Sequence, residues 1–327
     1  MEGNVMKMIE IGPQKLKMPA LIQGLMRITH MTAGEVVELI EKDLELGITF
    51  LDNADIYGAD HFCEKLLGEA FAKSPGLRDK VTLQTKCGIV NGSLTKYYDY
   101  SEKHILEACD ASLKRLNTDH IDIYLLHRPD ALYEPEEIAS AFDKLEQSGK
   151  VLNFGVSNMN TAQLTYLRKF VKQPITVNQL HFTLTHTGMV DSALCTNRAE
   201  YGAFDHDGGI LDYCRFNDCT IQAWSPFRAV KSKWTGEFIP LKVESRPFIG
   251  SDEFPAVNAK LNEVGKRYGI SPGATVIAWI LRHPAKMQIV LGSTKTARIE
   301  DACEGAKVEI TREEWYELYS AAGNVIP

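Results

Sequence analysis

Eight short apolar runs recur along this chain, separated by longer segments of helical period, and few folds accommodate such an alternation. The runs are Ala20 to Gly24, Ile48 to Asp52, Val81 to Lys86, Ile121 to His127, Val151 to Ser157, Ile175 to Leu180, Thr220 to Trp224 and Gln288 to Gly292. Between them lie segments such as Ala33 to Leu46, Ser101 to Leu116 and Pro135 to Ser148. In the second of these, Ile105, Ala108, Cys109, Ser112, Leu113 and Leu116 recur at spacings of three and four, the mark of a helix with one apolar face. Ser101 before Glu102 predicts an N-cap, Pro135 before two glutamates a first turn, and Gly149 a helix stop. Strand and helix in strict alternation predict a parallel α/β fold, and eight repeats favour a closed (β/α)8 TIM barrel over an open doubly wound sheet. A dinucleotide-binding sheet would carry Gly-x-Gly-x-x-Gly after its first strand; neither that turn nor a P-loop is present.

The chain has 327 residues and no Ser/Gly/Pro-rich linker, so a single barrel domain over 1–327 is expected. Met6 to Met18 reads as a β-hairpin outside the barrel and Arg312 to Ala322 as an added C-terminal helix. Two connections are long, Thr183 to Asp207 after the sixth strand and Ser225 to Pro255 after the seventh, and long loops in compact domains usually serve function. With 36 basic against 43 acidic residues the net charge is −7, and no Lys/Arg block offers the phosphate-neutralising stripe that nucleic-acid binding requires. No apolar run approaches the ~18 residues of a membrane span, and the first 20 residues lack a signal-peptide core, so the expected compartment is the cytoplasm. The seven cysteines have no metal-like spacing and read as free buried thiols, and Asn91-Gly92-Ser93 reads as a chance match to a glycosylation site. No metal site is expected. Asp205-His206-Asp207-Gly208 resembles a calcium loop only in its first residues and reads as a polar loop.

In a barrel of this kind the site lies at the carboxyl ends of the strands. Asp52, Lys86 and His127 each stand at such an end with parity compatible with the interior, and Tyr57 follows Asp52 in the next loop. A carboxylate beside an ammonium keeps both charged. An ammonium near a phenol lowers its pKa from the ordinary ~10, so that Tyr57 can protonate an oxygen at working pH.

These residues sit in FLDNADIYG, TKCGI, LLHRPD, GVSN and AWSP, and on those segments the chain resembles the aldo-keto reductases over nearly its whole length, most like their bacterial YdhF-like branch. The resemblance implies hydride transfer from NADPH to an aldehyde or ketone carbonyl, with Tyr57, Asp52, Lys86 and His127 as the catalytic tetrad. Tyr57 would protonate the oxygen, Lys86 held by Asp52 would ease that release, and His127 would orient the carbonyl. It also implies that Ser157, Asn158 and Gln179 hold the nicotinamide carboxamide, that Trp224 stacks on the ring with Ser225 and Pro226 beside it, and that Gly292, Ser293, Thr294, Lys295 and Arg298 meet the phosphates. Lys295 and Arg298, three apart on a helix, suit a 2′-phosphate, which favours NADPH with NADH as a weaker alternative. Gly292 stands where many relatives carry Lys, and Asp301-Ala302 where an adenine-binding Glu-Asn is usual. Relatives line the substrate pocket from loops that here hold Tyr97, Tyr98, Tyr100, Phe227, Trp234 and Phe238. The expected partner is a small carbonyl compound, with no nucleic acid and no membrane. The rival readings are a nicotinamide-binding sensor with slow turnover and a metal-dependent barrel hydrolase or lyase.

Overall fold

The computed structural model describes residues 6–199, 201–231 and 244–327. The eight apolar runs form one closed parallel barrel, with strands β1 (Leu21–Gly24), β2 (Phe50–Asp52), β3 (Thr82–Cys87), β4 (Ile121–Leu126), β5 (Val151–Ser157), β6 (Ile175–His181), β7 (Thr220–Trp224) and β8 (Gln288–Leu291). Each strand pairs with its successor, and β8 pairs with β1. The ends differ from the sequence reading by a residue or two, for local reasons. Ile48 stays outside β2 because its N–H donates to Asp43 O (2.8 Å) in the preceding helix turn, which leaves nothing for a neighbouring strand. The register sets Gly24 beside Asp52, Asp52 beside Gln84, and Lys86 beside Leu125, so the strand ends that carry polar groups lie at one level.

Helices lie between the strands as the periodicity predicts, among them α1 (Ala33–Glu45), α2 (Phe62–Lys73), α3 (Glu102–Leu116) and α4 (Pro135–Gln147). Their ends follow their caps. Thr32 and Glu35 form a reciprocal capping box on α1, Ser101 Oγ accepts from His104 N on α3, and Gly149 takes a positive φ of 71° just beyond α4. Where α2 meets α3, Gly68 lets the backbones touch: a Cβ on it would lie 2.0 Å from the Arg115 carbonyl oxygen. Gly68→Ala is therefore expected to push the helices apart and cost about 1–3 kcal/mol. Its urea midpoint should fall with the slope unchanged; an unmoved midpoint would show that the contact yields freely.

The N-terminal hairpin pairs Met8–Ile11 with Leu16–Pro19. Gly12 N donates to Thr220 Oγ1 (3.0 Å) and Gln14 Nε2 to Thr176 Oγ1 (3.2 Å), so the hairpin lies across the amino ends of β6 and β7 with Ile11 fully buried. At the other terminus α5 (Thr161–Leu167), α6 (Gly188–Leu194), α7 (Ile210–Phe216), α8 (Pro255–Tyr268), α9 (Pro272–Arg282) and α10 (Thr296–Lys307) precede the expected tail helix α11 (Arg312–Ala321). Trp315 of α11 stacks on Trp279 of α9 with ring centroids 5.0 Å apart, and each indole N–H donates to the other's backbone carbonyl (3.0 and 3.1 Å). That reciprocal pair buries two large rings without stranding their donors. The first long connection contains α6. Among the described residues of the second, Arg228–Lys231 pairs antiparallel with Glu244–Pro247. A further hairpin, Ile89–Asn91 with Lys96–Tyr98, follows β3. No helix of the described residues is long and apolar enough to cross a membrane.

Candidate active site

A cavity of about 630 Å³ opens at the carboxyl ends of the strands. Its reacting end is built by three neighbouring strands. Lys86, at the end of β3, is fully buried, and its Nζ donates to Asp52 Oδ1 (2.7 Å), Asp52 Oδ2 (2.8 Å), the Asn53 carbonyl (2.7 Å) and Tyr57 Oη (3.2 Å). His127 lies one residue beyond β4, with its ring edge-on to Tyr57 at 5.7 Å. The four residues named from the sequence thus converge, and Asp52, Tyr57 and His127 line the cavity.

Their electrostatics correct one expectation. Burial pushes the Tyr57 phenol above its ordinary value; Lys86 pulls it down, but by less than burial raises it. Burial alone would lower Lys86, yet Asp52 and Tyr57 outweigh it and hold the ammonium charged. His127 is driven well below the ordinary histidine range by burial and then by Lys86, Arg128 and Lys96, so its imidazole is neutral, with a buried Nδ1 that has no partner among the described residues.

Beneath this group lies a polar layer of which sequence reading named Gln179 alone as a site residue. Gln84, Gln179, Gln222 and Gln288 point into the barrel from β3, β6, β7 and β8, each buried. Gln84 Nε2 donates to Asp52 Oδ1 (2.6 Å) and Gln179 Nε2 to the same oxygen (3.0 Å); both also donate to Gln222 Oε1 (2.9 and 3.1 Å). Gln222 Nε2 reaches Gln84 Oε1 and Gln288 Oε1, each at 3.1 Å, and Gln288 Nε2 ends on the Pro19 carbonyl (2.8 Å). Inward parity, shared by Gln84 with Lys86 and by Gln222 with Trp224, was the signal available for them.

Along the rest of the wall, Ser157 Oγ donates to Gln179 O (3.0 Å) and Asn158 Nδ2 to Ser157 Oγ (2.6 Å), while Trp224 Nε1 donates to Asn158 Oδ1 (3.3 Å). His181 stacks behind Trp224 at 4.4 Å. Ser225, Pro226, Gly292, Ser293 and Arg298 line the cavity as expected; Thr294 and Lys295 do not, and Lys295 caps α10 with its side chain in solvent. The pairing of Lys295 with Arg298 on one helical face gives way to a different cationic set. Arg27, from the loop after β1, and Arg228, from the loop after β7, line the same wall as Arg298. A Cβ on Gly292 would stand 3.9 Å from the Arg27 guanidinium, an ordinary contact distance, so Arg27 lies alongside that backbone. Of the aromatic residues expected around the substrate, Phe227 lines the cavity. Tyr100 is fully buried and bonded to the Arg128 backbone, Tyr97 and Tyr98 lie exposed on the hairpin after β3, and Trp234 and Phe238 lie outside the described residues.

The profile of the aldo/keto reductase family matches residues 20–322. The chain belongs to the aldo/keto reductase family. It is 34% identical over 317 residues to a 6-dehydroglucose reductase of Agrobacterium fabrum, covering 94% of this chain and 95% of that one. It is 32% identical over 320 residues to the oxidoreductase YdhF of Escherichia coli, covering 96% and 97%. Among solved structures, the thermostable aldo-keto reductase Tm1743 superposes with a TM-score of 0.74 at 23% identity, over 97% of this chain and all of that one, which shows the shared barrel. The family assignment makes this chain an oxidoreductase of the nicotinamide-dependent kind. Among the described residues no three His, Cys, Asp or Glu side chains come together as a metal site.

Proposed function

We propose that this aldo/keto reductase reduces an aldehyde or ketone to an alcohol with NADPH, using Tyr57 as the proton donor. The observation that carries the reading is the single ammonium of Lys86, which bonds Asp52 on one side and Tyr57 Oη on the other. NADPH, when bound, supplies the hydride. Tyr57 gives its proton to the carbonyl oxygen as charge gathers there, and the phenolate left behind is stabilised by Lys86, whose own charge is held by both oxygens of Asp52. A neutral His127 offers one N–H to the same oxygen without competing as an acid. Burial of Tyr57 keeps the phenol protonated at neutral pH, so the acid is loaded before substrate arrives.

The chain's residues suit that cofactor. Trp224 offers an aromatic platform to the nicotinamide, and Ser157, Asn158 and Gln179 present polar atoms beside it. Arg27, Arg228 and Arg298 converge without a carboxylate partner among the described residues; burial first, then Arg228 and Arg298, depress the basicity of Arg27, a strain that phosphate anions would relieve. The test is a titration with NADPH and with NADH, read by tryptophan quenching and nicotinamide emission. Tight, NADPH-selective binding is expected, and absence of binding to either would remove the reading. In the same assay Arg298→Ala should weaken NADPH about tenfold or more and NADH far less. Equal weakening would mean that the 2′-phosphate is met elsewhere. The relative named for 6-dehydroglucose reduction supports a small polar carbonyl compound as substrate.

A further inference from the structure

Among the described residues four arginines line the cavity, in a chain whose net charge is −7. Three of them, Arg27, Arg228 and Arg298, form the group assigned above to the phosphates of the cofactor. The fourth, Arg128, directly follows His127 in the chain and stands beside the reacting groups. Its charge is felt by both Tyr57 and His127, and its guanidinium lies over the Trp224 ring, with Cζ 5.7 Å from the centroid.

Nothing in the described protein answers that charge. Among the described residues the carboxylates on the cavity wall are Asp52 and Asp301. Asp52 accepts from Lys86, Gln84 and Gln179, and Asp301 accepts from Ser271 Oγ at 2.6 Å. No carboxylate among the described residues pairs with Arg128, and the face of an indole is a weak substitute for one. Its backbone, by contrast, is fixed. The N–H of Arg128 donates to Tyr100 Oη (2.9 Å), the Tyr100 hydroxyl donates to the Arg128 carbonyl, and Tyr100 is fully buried. A guanidinium on an anchored backbone, unpaired and beside the reacting groups, is a preformed receptor for a planar anion.

We propose that Arg128 binds a carboxylate on the substrate, and that the natural substrates are short oxo acids, aldehydes or ketones with a carboxylate a few bonds from the carbonyl. A lone guanidinium matches a monoanionic carboxylate through two parallel N–H donors, whereas a phosphate dianion calls for a second cation, as in the group of Arg27, Arg228 and Arg298. The proposal rests on the reductase reading and names the substrate class of the same site.

The test compares 4-oxobutanoate and glyoxylate with their methyl esters, which keep the carbonyl and remove the charge. Wild-type protein with NADPH should favour each acid over its ester by at least tenfold in kcat/KM. In Arg128→Gln the acid-to-ester ratio should fall on the order of 10- to 100-fold, carried by KM for the acid, and Arg128→Lys should restore part of it. A merely structural role would lower acid and ester together and leave the ratio in place, which would overturn the proposal. Esters reduced as well as acids by the wild type, or glyceraldehyde 3-phosphate preferred over both acids, would also overturn it while the reductase reading stands. Protein that binds no NADPH and reduces none of these compounds would remove both.

Discussion

Tyr57→Phe should lower kcat for carbonyl reduction on the order of 10³-fold and leave NADPH affinity nearly unchanged. The expectation follows from where the lost atom acts. Among the described residues Tyr57 Oη is hydrogen-bonded by Lys86 (3.2 Å), and the proton donor proposed above would do its work in the transition state, so its removal should fall on the chemical step. The ring itself stays, edge-on to His127, and the packing that shapes the cavity is retained. The same geometry fixes the pH behaviour. The folded phenol lies above its ordinary value and His127 well below its own, so neither group changes state between pH 6 and 9. kcat for reduction should accordingly be flat across that interval in the wild type. Steady-state NADPH oxidation checks both points; full turnover in the phenylalanine variant, or a break near pH 6.5 that disappears in His127→Gln, would sink the assignment of roles.

Asp43→Asn should stabilise the protein at neutral pH on the order of 4 kcal/mol, with a gain that grows as pH rises. Asp43 lies on α1, fully buried, and neither carboxyl oxygen has a hydrogen-bond partner among the described residues. Burial pushes its pKa from 3.8 to about 8. The folded chain therefore keeps a proton that the unfolded chain releases above pH 4. Stability is intact in acid and is lost progressively as pH rises from about 4 toward 8, each unit costing about 1.4 kcal/mol. Asparagine has nothing to titrate and avoids that loss. Urea unfolding at pH 5, 7 and 8 checks it: the gap between the two proteins should widen with pH, and a gap that stays constant would show that Asp43 is ionised and partnered in the fold.

The legible and the hidden parts of this molecule differ for physical reasons. Burial on both faces makes a parallel barrel strand an apolar run, and a strand end is where such a run stops, so Asp52, Lys86 and His127 could be placed from order and parity alone. Arg27 and Arg228 escaped because they come from loops separated by some 200 residues of chain and meet only when the barrel closes. Lys295 was misplaced because one-face spacing presumes a helix already begun, whereas it is the cap residue and points outward. The direction of the Tyr57 shift could not be read either: the attraction of Lys86 was visible in the motif, but the burial that outweighs it is a property of the assembled cavity. The resemblance to the family supplied the roles, and the geometry supplies the reason they fit together.

The glutamine layer has one remaining consequence. Its top ends on the Asp52 carboxylate that pairs with Lys86 and its bottom on a prolyl carbonyl, two groups that accept at this layer. With both boundaries fixed, each amide between them has one permitted sense: Gln84 and Gln179 give their nitrogens to Asp52 and to Gln222 Oε1, Gln288 gives its nitrogen to Pro19, and Gln222 turns its own nitrogen to the oxygens of Gln84 and Gln288. An amide ladder free at either end could flip and would leave Asp52 facing a lone pair part of the time. Here the wiring is non-degenerate, and the proline at the floor of the barrel helps decide which way a side chain at its mouth is solvated.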